Sequence, residues 1–103
     1  MNTTLDNEIE VRRPEIARIC AELGIRRLEL FGSAVRGGPA RDVDFLVDLG
    51  DRPPAEYATA FFALQARLEA LFSRSVDLIT PAGLANSYFR ARVEREKVLL
   101  YAA

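Results

Sequence analysis

Asp42 and Asp44 stand two residues apart in "RDVDFLVDL", and a third aspartate, Asp77, interrupts the apolar run of "VDLIT". Residues two apart on an extended chain share one face, so the first two carboxylates emerge together, roughly 7 Å apart along the strand. Two carboxylates this close raise the cost of ionising both, and a divalent cation removes that cost. Mg²⁺ takes hard oxygen ligands and is held by one or two carboxylates together with the phosphates of a substrate. Strand propensity disfavours an aspartate at position 77; its presence makes sense if its strand lies beside that of the pair and shares their face. Just upstream, "LFGSAVRGG" supplies the complementary chemistry. Gly32 lets backbone N–H groups approach an anion, Ser33 adds a hydroxyl donor, and a helix starting after the turn points its positive end there. Arg36 can form a charge-assisted pair with phosphate oxygens. Together they describe a site for a nucleotide and a metal.

Each motif alone has a plainer reading. Gly32–Ser33 is then an ordinary turn, Asp42 and Asp44 the solvated face of an edge strand, and Asp77 a polar residue at a strand end. Their occurrence together, in this order, favours chemistry. The alternating charges of Arg90, Arg92, Glu94, Arg95, Glu96 and Lys97 read as a solvated helix face, Asp48 as an exposed strand end, and Cys20 as core.

The composition narrows the mechanism. A chain of 103 residues with a formal net charge of −1 is expected to be one domain, residues 1–103 with its core over about 10–100, and offers no general basic field for nucleic acid. Histidine is absent, which excludes a Ser-His-Asp or Cys-His mechanism within the chain. The single cysteine has no partner to bridge, no apolar run approaches a membrane span, and the polar start is unlike a signal peptide, so the cytoplasm is the expected location.

The elements that must position these residues follow from periodicity. "PEIARICAELG" predicts a helix opening at Pro14 and stopping at Gly24, with Ile16, Ile19, Cys20 and Leu23 on one face. Strands are expected over about 26–31, over "DVDFLVDL" and over "RSVDLIT". In the second, Val43, Phe45, Val47 and Leu49 oppose Asp42, Asp44, Leu46 and Asp48. "AEYATAFFALQARLEALF" is the clearest helix, with Ala58, Phe61, Phe62, Leu68, Leu71 and Phe72 expected on its buried side; one of the two adjacent phenylalanines is placed to reach a partner. A last helix is expected over roughly 84–99, with a weak stripe through Phe89, Val93 and Leu100. The order helix, strand, strand, helix, strand, helix predicts an α/β (α+β) domain with a small mixed β-sheet and helices packed against it.

"LFGSAVRG", "RDVDFLVDL" and "VDLIT" together resemble the minimal nucleotidyltransferase domain, within the DNA polymerase beta-like superfamily. The resemblance spans nearly the whole chain and implies the nucleotidyltransferase fold. By it, Gly32 and Ser33 hold the triphosphate of ATP, Asp42 and Asp44 bind two Mg²⁺, and Asp77 binds one of them and helps activate the acceptor hydroxyl. It further implies an antitoxin paired in a hetero-oligomer with a HEPN ribonuclease toxin, which it neutralises by transferring AMP to a hydroxyl, expected to be a tyrosine's. A binding-only antitoxin that blocks the toxin by contact is the alternative, and a small-molecule nucleotidyltransferase ranks last. Two features depart from the family pattern. The eight-residue spacer between Ser33 and Asp42 is shorter than usual, and Arg41 stands where a serine commonly precedes the first aspartate.

Overall fold

Leu28 and Leu30 on one strand, with Val43, Phe45 and Val47 on the next, project from one face of a β-sheet into a closed core. Alternation forces this: successive side chains on a strand point to opposite faces, and these positions carry the apolar half of each pattern. The computed structural model of the chain describes residues 4–32, 35 and 42–103. Ser33, Arg36 and Arg41 lie outside the described residues.

Among the described residues the elements run α1 (Thr4–Leu23), β1 (Arg27–Phe31), β2 (Asp42–Asp48), α2 (Pro54–Phe72), β3 (Ser75–Ile79), a 3₁₀ turn (Pro81–Leu84), α3 (Ser87–Glu96) and β4 (Val98–Ala102). The four strands form one mixed sheet in the order β3-β2-β1-β4. β1 pairs antiparallel with β2 and β4, whereas β2 and β3 are parallel, so α2 is the crossover that a parallel pair needs. α1 and α2 cover one face, where Ile16, Cys20, Leu64 and Leu68 meet the strand residues. A smaller cluster of Phe31, Leu46, Leu84 and Val93 lies on the other face, beneath α3 and the 3₁₀ turn. The expected α/β class and small mixed sheet are therefore correct.

Three expectations about the elements are corrected. The first helix begins ten residues before Pro14, which lies in its interior. An interior proline costs roughly 3 kcal/mol. Burial of Ile9 recovers about 1.5–3 kcal/mol, and the Glu8–Arg74 ion pair ties the early turns to the link between α2 and β3. In α2 the buried residues are Ala60, Leu64, Leu68 and Phe72, spaced by four; Ala58 is exposed and Phe62 is 63% exposed. "AFFAL" is apolar nearly all round, so helical periodicity alone admits several stripes, and contact with the sheet selects one. The last helix ends at Glu96. Lys97 takes an extended conformation (φ −65°, ψ 145°), and the chain enters β4, placing Leu100 in the larger core instead of on the helix. The run "VLLYA" is short and uniformly apolar, a pattern that periodicity cannot divide between strand and helix.

Candidate active site

The face of the sheet opposite the larger core carries the acidic residues. Register places Phe31, Asp44 and Asp77 in one row across β1, β2 and β3: Phe31 pairs with Asp44, and Asp44 with Asp77. Asp77 thus lies beside the aspartate pair on the shared face, as its interruption of an apolar strand predicts. Asp42 occupies the same face one pleat away, opposite Ser75. Asp44 is half-buried, whereas Asp42 and Asp77 are exposed.

β3 is a sheet edge, and α2 fastens its outer side. Gln65 Nε2 donates to the carbonyl of Val76 (3.0 Å), and the Val76 N–H donates to Oε2 of Glu69 (3.0 Å). Both outward backbone groups of the residue preceding Asp77 are satisfied, which fixes the pleat from which Asp77 projects. Gln65 and Glu69 are four apart on one helix face. Their spacing was legible, but nothing in the sequence tied them to Val76.

Gly32 ends β1 in the left-handed region (φ +84°), and a Cβ built there would collide with Oδ2 of Asp44. Only glycine brings the turn backbone against this carboxylate. The Val35 N–H donates to the Gly32 carbonyl (3.1 Å), closing the turn. The Gly32 N–H donates to Oε1 of Glu96 at the end of α3 (3.2 Å).

A hollow of about 330 Å³ opens between these parts. Gly32, Asp44 and Asp77 form its polar floor, and Phe31 and Ile79 flank them. Phe89, Arg92 and Glu96 of α3 form the opposing wall. Phe89 is seated edge-on against Phe31, with centroids 5.9 Å apart and rings at 73°. Asn86 caps α3, its side chain accepting from the Phe89 N–H (3.0 Å). This wall was missed at the sequence level. Arg92 and Glu96 belong to a run of alternating charge that reads as solvated surface, although Phe89, Arg92 and Glu96 at i, i+3 and i+7 do trace one helix face.

Among the described residues, no three histidine, cysteine, aspartate or glutamate side chains form a group that could hold an ion by themselves. Asp44 and Asp77 in register, with Asp42 a pleat away, instead suit a cation that shares its coordination with ligand phosphates, as Mg²⁺ does. Of the residues expected at the site, the fold brings together Gly32, Asp44 and Asp77 and leaves Asp42 at the rim, on their face but outside the hollow's lining. No helix is long and apolar enough to cross a membrane among the described residues.

A family model for the nucleotidyltransferase domain matches residues 13–100. Among curated protein sequences none matches. Of solved structures, a candidate minimal nucleotidyltransferase is 32% identical, with a TM-score of 0.68 over 91% of this chain and 93% of that one. A toxin–antitoxin structure with AMP-PNP is 21% identical, with a TM-score of 0.66 over 88% of this chain and 73% of that one. A tri-AMPylated HEPN toxin of Shewanella oneidensis in complex with an MNT antitoxin gives 18% identity and a TM-score of 0.64, over 92% and 73%. The last two share the fold.

Proposed function

The chain belongs to the nucleotidyltransferase domain family, and from that premise we propose that it is an antitoxin that transfers AMP from ATP to a hydroxyl of a HEPN-type toxin. The observation that carries the reading is the row of Asp44 and Asp77 in register, with Gly32 pressed against Asp44 where no side chain fits. Two carboxylates and the start of the backbone turn at Gly32 are thereby held in one hollow. The solved complexes of similar shape support the partner class, since they pair such a domain with a toxin.

In this reading the Gly32 N–H, Ser33 and Arg36 hold the phosphates of ATP, and Asp42, Asp44 and Asp77 would hold Mg²⁺. Bound there, Mg²⁺ supplies charge neutralisation at the phosphates and at the attacking and leaving oxygens. The hydroxyl oxygen of the acceptor forms a bond to the α-phosphorus as the bond from that phosphorus to the bridging oxygen breaks. Pyrophosphate leaves with the bonding pair. The exposed carboxylate of Asp77 takes the hydroxyl proton and releases it to water. Orienting the reactants in line contributes much of the rate, because little covalent chemistry falls to the protein itself.

Incubating the purified chain with ATP, Mg²⁺ and the protein encoded beside it, followed by intact mass measurement, tests this. A mass gain of one or more AMP units on the partner is the expected result. A stable complex with no added mass would overturn the transfer reading and leave the binding-only antitoxin, which the rim position of Asp42 favours.

A further inference from the structure

Phe89, Arg92 and Glu96 all line the hollow, and the last two bring one charge of each sign to it. Arg92 is the one basic side chain among the described residues of the lining, which also includes Asp44, Asp77 and Glu96. The Glu96 carboxylate accepts from the Gly32 N–H (3.2 Å). That amide is the donor which the nucleotide reading assigns to a phosphate, so the donor already holds an anion. One N–H aimed at one acceptor does not serve two anions, and a phosphate arriving beside Glu96 meets like charge.

The position of Glu96 allows the exchange. It is the last residue of α3, half-buried, and the residue after it is firmly anchored. The Lys97 N–H donates to the Val93 carbonyl (2.9 Å), and Lys97 Nζ lies 3.3 Å from Glu29 and 2.9 Å from Glu94. Moving the Glu96 side chain off Gly32 would leave these bonds of Lys97, and the helix end they hold, in place. One turn earlier, Arg92 presents a guanidinium whose planar fork matches phosphate oxygens.

We propose that α3 is the nucleotide-sensing wall of the site: Arg92 binds the phosphates of the incoming nucleotide, and Glu96 holds the Gly32 amide until a phosphate oxygen replaces it. The proposal rests on the nucleotide reading above. It makes α3 and its junction with β4 the part of the molecule that registers an occupied site.

The two residues act with opposite sign, which separates this role from a structural one. The full chain and its variants E96Q, R92A and R92K are titrated by calorimetry with inorganic pyrophosphate and with a non-hydrolysable ATP analogue, with Mg²⁺ present. In parallel the Gly32 amide is followed by NMR in ¹⁵N-labelled protein. E96Q, which keeps an acceptor but loses the charge, is expected to bind about fivefold more tightly. R92A is expected to bind roughly tenfold more weakly or worse, and R92K to fall between R92A and wild type. The Gly32 amide resonance of the free protein should differ between wild type and E96Q and converge when the analogue is bound. Binding by E96Q no tighter than wild type overturns the proposal, as does unchanged binding by R92A. If the wild type binds and E96Q and R92A both match it, this inference alone falls. If neither the wild type nor E96Q binds pyrophosphate or the analogue, the nucleotide reading falls with it.

Discussion

Gly32 and Cys20 show how much one position can decide. At Gly32 two constraints coincide: a positive φ, and the close approach of Asp44 Oδ2. Gly32→Ala must satisfy both at once. It is expected to destabilise the fold by about 1–3 kcal/mol and to abolish binding of an ATP analogue, read by urea unfolding and calorimetry. Unchanged stability together with unchanged binding would mean that the turn is not under this constraint. Cys20 is fully buried, and burial pushes its thiol up from 9.0 to about 12. Above the lower value the unfolded chain ionises while the folded chain keeps its proton. The thiol's contribution is therefore fully present below pH 9.0 and is lost as pH rises toward 12, by up to about 1.4 kcal/mol per pH unit. Urea unfolding between about pH 8 and pH 10 should show a steeper loss in wild type than in Cys20→Ala; parallel profiles would contradict it.

At the level of elements, the junction of α3 and β4 rests on a charge inside the sheet. Among the described residues Glu29 is the one buried charge, 4% exposed, flanked by Lys97 Nζ (3.3 Å) and Arg27 Nε (3.4 Å). The hydrogen bond to Glu94 and the one to Glu29 raise the Lys97 pKa, against the opposing effect of desolvation. The interaction is present below the ordinary lysine value and is lost as pH rises through the raised one. Lys97→Met leaves Glu29 with a single weak partner and is expected to cost about 1–3 kcal/mol in urea unfolding. Adding Glu29→Gln should restore part of that loss, because the uncompensated buried charge is then gone; no restoration would show that Lys97 acts through packing instead. α2 offers a second test. Leu64→Ala should cost about 2–5 kcal/mol, whereas Phe62→Ala, on the exposed side and touching the Phe61 ring edge-on at 5.3 Å, should cost under about 1 kcal/mol. Equal losses would place the buried stripe elsewhere on the helix.

For the molecule as a whole, the mixed topology makes the site. The parallel β2–β3 pair sets Asp77 beside Asp44, and the antiparallel β1–β2 pair brings Gly32 to the same end. Asp42→Asn with Asp44→Asn removes the carboxylate pair at almost constant volume. A modifying antitoxin carrying both changes should still bind its partner with near wild-type affinity, yet transfer AMP at least about a hundredfold more slowly. Co-purification measures the first and intact mass the second. Transfer at the wild-type rate would overturn the mechanism, whereas unchanged protection of cells at one-to-one stoichiometry without transfer would identify a blocker.

Local rules were enough for the sequence to determine much of this protein. The two-residue period placed Asp42 and Asp44 on one face and Val43, Phe45 and Val47 on the other, and the isolated Asp77 pointed to a strand lying beside theirs and sharing its face. Gly32 was legible because a turn between two strands calls for a residue free of steric limits. The full order of the strands was not legible: neither β4 at the far edge nor the parallel sense of β2 and β3, which depends on how α2 packs across the sheet, is marked in the sequence. For the same reason the buried stripe of α2 is legible at Leu68 and Phe72 but not at Ala60 and Leu64, where Ala58 and Phe62 compete for it, and the helix-start signal of Pro14 is overridden by tertiary contacts at Ile9 and Glu8. The wall made by Phe89, Arg92 and Glu96 was decided by tertiary structure alone. Charges on a helix look alike from sequence whether they face water or a hollow, and only the packing of Val93 and Phe89 against Phe31 and its neighbours sets Arg92 and Glu96 along the hollow.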